Sequence, residues 1–411
     1  MKTIRNSHKA IKDINIKVGN PSKYLRTLWA AINESCPELK DVLTEIEMEL
    51  GYDPREDKVA TLNSADESFN KTGAIGYYDQ PLLISIADRE WIDSEYNEFN
   101  ELASYLESKP LFSSASSIYI CGAGVCRMGD YVSSLENIKS VYCSDLSWLA
   151  LYVGRMLIQR EYHKLPTLFH APRLFYQVSS DFNAISAQSL HAKFHPSSER
   201  TGKNIQYEVR DAFALIGPTP AELVCVPYLL DLFAGDQMKT LVTRICQSME
   251  VGQQLLIIST LLFHPVGERN PQEIVQTLKT FGFEIDYLDI AQLPYTFSYY
   301  NYGARKETWN TLIVKATKYK QTHSRNLKLL TDAGKLGPVD EDTSLGDDVH
   351  ITWQDRKIIL SRNHFDVFQK CLSCVDYSDL YESFANKMTA EEFEHAIGAL
   401  TSRSLLCLQA K

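Results

Sequence analysis

No apolar run in this chain reaches the ~20 residues that a membrane-spanning helix needs. The amino terminus, MKTIRNSHK, runs into polar sequence without the hydrophobic core of a secretion signal, so a cytoplasmic protein is expected. Positive charge is in deficit: 42 Lys and Arg face 52 Asp and Glu, a net charge of −10. That balance argues against a nucleic-acid backbone as the main partner. A disulfide framework is missing too. The nine cysteines are an odd number at irregular spacing, and Cys121, Cys143 and Cys225 lie inside apolar stretches, as reduced buried thiols do. Cys371 and Cys374 form a C-x-x-C with no second pair, and His191 and His195 are followed at once by Pro196 with no acid partner. No metal site is therefore expected.

What is present is a chain of 411 residues, long enough for two or three domains, with 44% hydrophobic and 23% charged residues. It is organised around Ser117 to Arg127 (SIYICGAGVCR). Ile118, Tyr119 and Ile120 read as a short buried strand, Gly122 and Gly124 as a turn, and Met128 to Leu135 as a helix. Glycine suits such a turn because a Cβ would keep the backbone from a bulky cofactor and disfavour positive φ. A strand–glycine turn–helix unit of this kind binds a dinucleotide or S-adenosylmethionine. The third glycine of the dinucleotide fingerprint is absent.

From Ser117 to Ala316 strands and helices alternate, which implies a parallel sheet covered on both faces. The expected strands are Ile118–Cys121, Ser140–Asp145, Ile205–Asp211, Glu222–Tyr228, Gln254–Ser259, Phe283–Ile290 and Thr308–Lys315. No helical period joins the last two, so they are expected to pair as an antiparallel hairpin. Six strands closed by an antiparallel seventh is the methyltransferase variant of the doubly wound α/β fold. Asp145 ends the second strand, 23 residues after Gly122, where a carboxylate accepts ribose hydroxyls. Ser147 suits the N-cap of the next helix. Asp211 ends the third strand, where an acid can take an adenine amino group while Ala212 and Phe213 flank the ring.

These motifs resemble the carnosine N-methyltransferase family, which transfers methyl from S-adenosylmethionine to an imidazole nitrogen. Gly122 to Arg127 (GAGVCR) resembles the family's GAGLGR, with Cys126 in place of its third glycine. Ala87 to Trp91 (ADREW) is similar to its V-R-D-W, and Cys143 to Ser147 (CSDLS) stands where it has N-E-[WF]-S. Leu229 to Ala234 (LLDLFA) and Ser259 to His264 (STLLFH) resemble F-I-D-T-A and G-P-L-L-Y-H. The resemblance implies cofactor contacts at Arg89, Gly122, Gly124, Arg127 and Asp145, an acceptor site lined by Asp231 and His264, and substrate contacts at Tyr299, Tyr300 and Tyr302. A carboxylate at Asp231 would hydrogen-bond the second imidazole nitrogen and stabilise the charge that builds there; a helix N-cap is its plain alternative.

The domains expected are a helical cap or lid over 1–110, a cofactor-binding domain over 111–318, a polar linker over 319–346 and a winged-helix-like module over 347–411. Residues 160–203 have no counterpart in the family and would reshape the substrate mouth. In the module a hairpin precedes three amphipathic helices, the last opened by a Thr389–Glu392 capping box. Its order resembles PqqD-like elements that bind the leader of ribosomally made, modified peptides. Residues 340–411 hold 13 Asp and Glu against 7 Lys and Arg, the wrong sign for DNA and compatible with a peptide partner. The leading expectation is methylation of a peptide, at a histidine if the imidazole preference carries over. The alternatives are a free small imidazole or amine with a structural module, and a silent binding protein that keeps the cofactor fold. A homodimer is compatible with either.

Overall fold

The computed structural model describes residues 16–18, 86–87, 90–91, 98–160, 173–178, 185–190, 205–210, 212–214, 221–233, 235–260, 271–295, 308–321, 327–331, 336–340, 348–353, 356–374, 376–402 and 405–410. A short β1 (Ile16–Val18) precedes α1 (Glu98–Glu107). Strand and helix then alternate through β2 (Ser117–Cys121), α2 (Arg127–Ser133), β3 (Ser140–Asp145) and α3 (Trp148–Ile158). An antiparallel pair, β4 (Arg173–Val178) with β5 (Ile185–Leu190), stands ahead of β6 (Ile205–Val209). Alternation resumes with β7 (Leu223–Pro227), α4 (Gly235–Ser248), β8 (Gln254–Ser259), α5 (Pro271–Thr280), β9 (Phe283–Pro294) and β10 (Thr308–Lys318).

The main sheet has the order β1-β6-β3-β2-β7-β8-β10-β9. β2 and β6 each run parallel to β3, and β7 runs parallel to β8. β10 runs antiparallel to β8, in register from Leu312 opposite Ser259 to Thr317 opposite Gln254. This is the strand order of the class I methyltransferase α/β fold, with β1 added beside β6. Consecutive residues of β7 and β8 are buried, Leu223 to Val226 and Leu255 to Ile258, as in strands covered on both faces. The cap expected over residues 1–110 as helical therefore also contributes a strand. Three residues, Ile-Lys-Val, are too few to announce it. Most of that expected cap lies outside the described residues.

Two compact units are distinguished, Met1–Tyr52 with Tyr77–Val209 and Ile290–Thr311, and Asp53–Gly76 with Arg210–Asp289 and Leu312–Lys411. This division differs from the expected domain boundaries, because residues 312–411 belong to the same unit as 210–289. The expected linker is also corrected. It carries β11 (Leu327–Leu330) and β12 (Leu336–Asp340), followed by β13 (Asp348–Trp353), β14 (Arg356–Ser361), α6 (Arg362–Cys371), α7 (Tyr377–Phe384), α8 (Ala390–Ser402) and β15 (Cys407–Ala410). β11 pairs antiparallel with β15, from Leu327 opposite Ala410 to Leu330 opposite Cys407. β12, β13 and β14 form a three-stranded antiparallel sheet. Polar composition hid both strands, because each is short and finds its partner far along the chain.

In the second unit β15 lies against α4, and the Leu408 N–H donates to Thr240 Oγ1 at 3.2 Å. Lys318 is buried and donates from Nζ to the carbonyls of Cys246 and Met249, each at 2.7 Å. A cation thus sits where the α4 carbonyls run out of backbone donors. The capping box is present: the Thr389 N–H and hydroxyl reach Glu392 Oε2 at 2.7 and 3.0 Å, and the Glu392 N–H returns to Thr389 Oγ1 at 3.2 Å.

Candidate functional site

In the first unit the glycine turn is joined to the end of β3. The Gly122 and Ala123 N–H groups donate to the Ser144 carbonyl at 2.8 and 2.9 Å. Asp145 then holds the turn through both oxygens. Oδ2 accepts from the Gly124 N–H and Oδ1 from the Ser147 N–H, each at 2.8 Å. Ser147 caps α3, its Oγ accepting from the Ala150 N–H at 3.1 Å. Gly122 and Gly124 lie at φ 75° and 51°, the left-handed region that glycine enters without steric cost.

Cys126 shares that region at φ 60°, where a side chain costs roughly 1–2 kcal/mol, and it is fully buried. The helices on either side approach their neighbours closely at glycine. A Cβ on Gly129 would stand 2.4 Å from Cys143 Sγ, and one on Gly154 would stand 2.5 Å from the Val125 carbonyl oxygen and 2.8 Å from Cys126 Cβ. Gly154 is thus the site at which α3 approaches the turn. Gly154→Ala is expected to destabilise the protein by about 1–3 kcal/mol through overpacking, read as a lowered thermal midpoint. An unchanged midpoint would show that the turn can yield at no cost.

Trp91 donates from Nε1 to the Val125 carbonyl at 3.1 Å, tying the segment before α1 to the turn. Arg127 follows the turn directly. Its guanidinium lies 4.9 Å from the Trp91 ring centre and 5.0 Å from that of Phe99, with Nη1 2.5 Å from Asp130 Oδ2. Burial lowers the pKa of Arg127, and the charge of Asp130 opposes that shift.

Asp145 is nearly inaccessible, and burial raises its pKa from 3.8 to about 6 against the pull of three backbone N–H groups at Ser147, Gly124 and Leu146. Its folded pKa lies above its unfolded one. The stability it contributes is therefore full below about 3.8 and is lost as pH rises through about 6.

In the second unit a 3-10 turn, Ala212–Ala214, follows β6. Phe213 is buried and meets Phe233 edge-on, with ring centres 5.0 Å apart at 90°. The Phe213 carbonyl accepts from Arg244 Nε of α4 at 2.8 Å.

Asp231 lies in a 3-10 turn (Leu229–Leu232) after β7 and is completely buried. Oδ1 accepts from the Ser259 hydroxyl. Oδ2 accepts from the Thr260 N–H at 3.1 Å and the Thr260 hydroxyl at 2.9 Å. The carboxylate, expected to face an acceptor or else to cap a helix, clamps this turn to the end of β8. Its three donors follow directly on the apolar run of β8.

Arg89, Asp211, His264, Tyr299, Tyr300 and Tyr302 lie outside the described residues, as do His191 and His195. Among the described residues no group of three or more His, Cys, Asp or Glu could hold a metal ion. Also among them, no helix is long and apolar enough to cross a membrane. The described cysteines are free thiols, and burial pushes Cys371 up to about 12.

No protein-family model matches the chain, and no curated protein matches it. Solved structures that resemble it include a magnesium protoporphyrin IX methyltransferase from Synechocystis PCC 6803 with bound SAM, 11% identical with a TM-score of 0.33, covering 62% of this chain and 92% of that one. Another is the N-methyltransferase NodS from Bradyrhizobium japonicum WM9 in complex with S-adenosyl-l-homocysteine, 13% identical with a TM-score of 0.35, covering 63% of this chain and 100% of that one. Likeness at these scores says nothing of activity or ligand, and the reading of the site rests on its own residues.

Proposed function

We propose that the protein is an S-adenosylmethionine-dependent methyltransferase. The observation that carries the reading is the Gly122–Gly124 turn held by Asp145 at the end of β3, within a sheet whose β10 runs antiparallel to β8. The residues fit the cofactor. Two glycines leave the backbone bare at the turn, and a carboxylate oxygen that accepts one N–H keeps a second lone pair for a ribose hydroxyl. S-adenosylmethionine supplies a methyl group on a sulfonium. The chain's task is to hold cofactor and acceptor in line at roughly 3–3.5 Å and to exclude water. The acceptor lone pair forms the bond to the methyl carbon, the carbon–sulfur pair stays with sulfur, and the acceptor sheds a proton.

The acceptor is proposed to be a peptide nitrogen, a histidine imidazole by the family resemblance. The C-terminal module would hold the precursor's leader through an edge of its three-stranded sheet. Arg89, His264 and the Tyr299–Tyr302 cluster keep the roles that resemblance implies, and Asp211 the adenine contact that its place in the sequence suggests. Asp231 is left out of the reacting groups in this reading, because its side chain is wholly buried and holds the turn after β7 to the end of β8 through Ser259 and Thr260. Calorimetric titration with S-adenosylmethionine and NAD tests the reading, and tight NAD binding with none for the methyl donor overturns it.

The raised pKa of Asp145 gives the titration a pH signature. The ionised carboxylate is the better acceptor for ribose hydroxyls, so affinity is expected to rise about fivefold as pH increases through about 6. Asp145→Asn should bind more weakly with a flat pH profile. A wild-type profile that is also flat would remove Asp145 from the cofactor contact.

A further inference from the structure

The Val125 carbonyl, on the far limb of the glycine turn, is approached from two sides. Trp91 donates to it from Nε1 at 3.1 Å, and α3 presents Gly154 to it, the oxygen lying 2.5 Å from where a Cβ would stand. Cys126 follows in the left-handed region and is the N-cap of α2. Trp91 is completely buried, and the Arg127 guanidinium lies against its ring at 4.9 Å and against that of Phe99 at 5.0 Å. Asp130, also completely buried, supplies the counter-charge one turn further along α2. The charges of Asp130 and Glu90 favour the protonated guanidinium against the burial that lowers its pKa. A buried cation is expensive, and a well-packed apolar side chain would fill this place as well. What the guanidinium adds is orientation: its flat face stacks on the rings while its donors point at a carboxylate. All of these residues belong to the first unit, as do the glycine turn and Asp145.

We propose that Trp91 and Arg127 are positioning residues for the glycine-turn end of the cofactor site, Arg127 fixing the indole and the indole N–H fixing the Val125 peptide. The inference rests on the methyltransferase reading, and in this role neither side chain touches the cofactor. The Val125 peptide carries the chain from Gly124, whose N–H Asp145 accepts, into the strained φ of Cys126. Without the indole N–H, the Val125 carbonyl loses a donor and the left-handed residue beside it is less firmly held. The turn then samples other conformations, and the cofactor has to reorder it on binding, which lowers affinity.

The test uses the full chain with Trp91→Phe and Arg127→Lys, held well below each variant's thermal midpoint. Trp91→Phe keeps a ring without the N–H and is expected to raise the Kd for S-adenosylmethionine about tenfold, the scale of one lost buried hydrogen bond. In the same variant without ligand, the amides of Gly124 and Cys126, which donate to Asp145 and to the Ala123 carbonyl, should exchange faster while those of β3 do not. Arg127→Lys keeps the charge without the flat face and should move both readouts the same way by less. Folded variants with unchanged Kd and unchanged exchange overturn the proposal. A raised Kd with unchanged exchange also overturns it, as the result expected of a side chain that touches the cofactor directly. So does exchange that quickens equally along β3, the mark of a merely structural role. Should Trp91→Phe fail to fold, Arg127→Lys decides by the same two readouts. If the wild-type protein binds no S-adenosylmethionine, the activity reading is what falls. Exchange at Gly124 and Cys126 then shows alone whether Trp91 sets the turn, and unchanged exchange in the variant sinks that too.

Discussion

A chain ended after Tyr319 is expected to be insoluble, or to melt far below the full-length protein. The sequence suggests the opposite, a mobile linker with a separable module beyond it. The structure puts Glu394, the partner of buried Arg244, beyond the cut. Removing one partner of a buried ion pair costs about 3–5 kcal/mol. The cut also removes β15, whose Leu408 is buried and whose backbone meets α4 at Thr240. Burying a leucine contributes roughly 1.5–3 kcal/mol. Together these approach the ~5–15 kcal/mol that keeps an ordinary domain folded. Soluble yield and a calorimetric midpoint read the outcome. A soluble truncated chain with the wild-type midpoint would restore the separable module and allow the tethering of a precursor peptide to be tested directly.

Asp231→Ala is expected to lower the thermal midpoint by roughly 6–12 °C, from a loss of about 3 kcal/mol or more. The Ser259 hydroxyl and both donors of Thr260 would be left in the interior without their acceptor. Asp231→Asn keeps the shape and one acceptor oxygen, and should cost less. A carboxylate that fixed an imidazole tautomer would behave differently, with an unchanged midpoint and a collapsed kcat. The two roles therefore separate on the melting curve before any substrate is known.

The legible parts of the fold were those whose signal is local. β3 and β8 are read to the residue, Ser140–Asp145 and Gln254–Ser259, because each is an apolar run bounded by polar residues. Ser147 as an N-cap and the Thr389–Glu392 box are equally local, and both stand. The glycine turn could be placed, but its reliance on Gly154 could not, since a helical glycine looks dispensable until a carbonyl is found 2.5 Å from its absent Cβ. β11 and β12 were misread for the same reason: a strand of four or five residues is defined by its partner, and β11's partner is at the chain's end. Arg244 and Glu394 stand 150 residues apart, and neither interrupts any periodic pattern. Asp231 was noticed for its place after a strand, while its clamp depends on a hydroxyl and an N–H from another strand's end.

The pairing of β11 with β15 has a consequence for how the protein is made. Arg244 emerges from the ribosome 150 residues before Glu394, and β11 emerges before the strand that completes it. At ~5–20 residues per second, the nascent chain spends roughly 10–30 s with that cation and the β15-facing side of α4 uncovered. Vectorial folding can finish the first strands of the sheet early, but the second unit has to wait for its last residues. A ribosome stalled before codon 394 would hold a chain whose buried cation, on a helix made long before, still lacks its carboxylate.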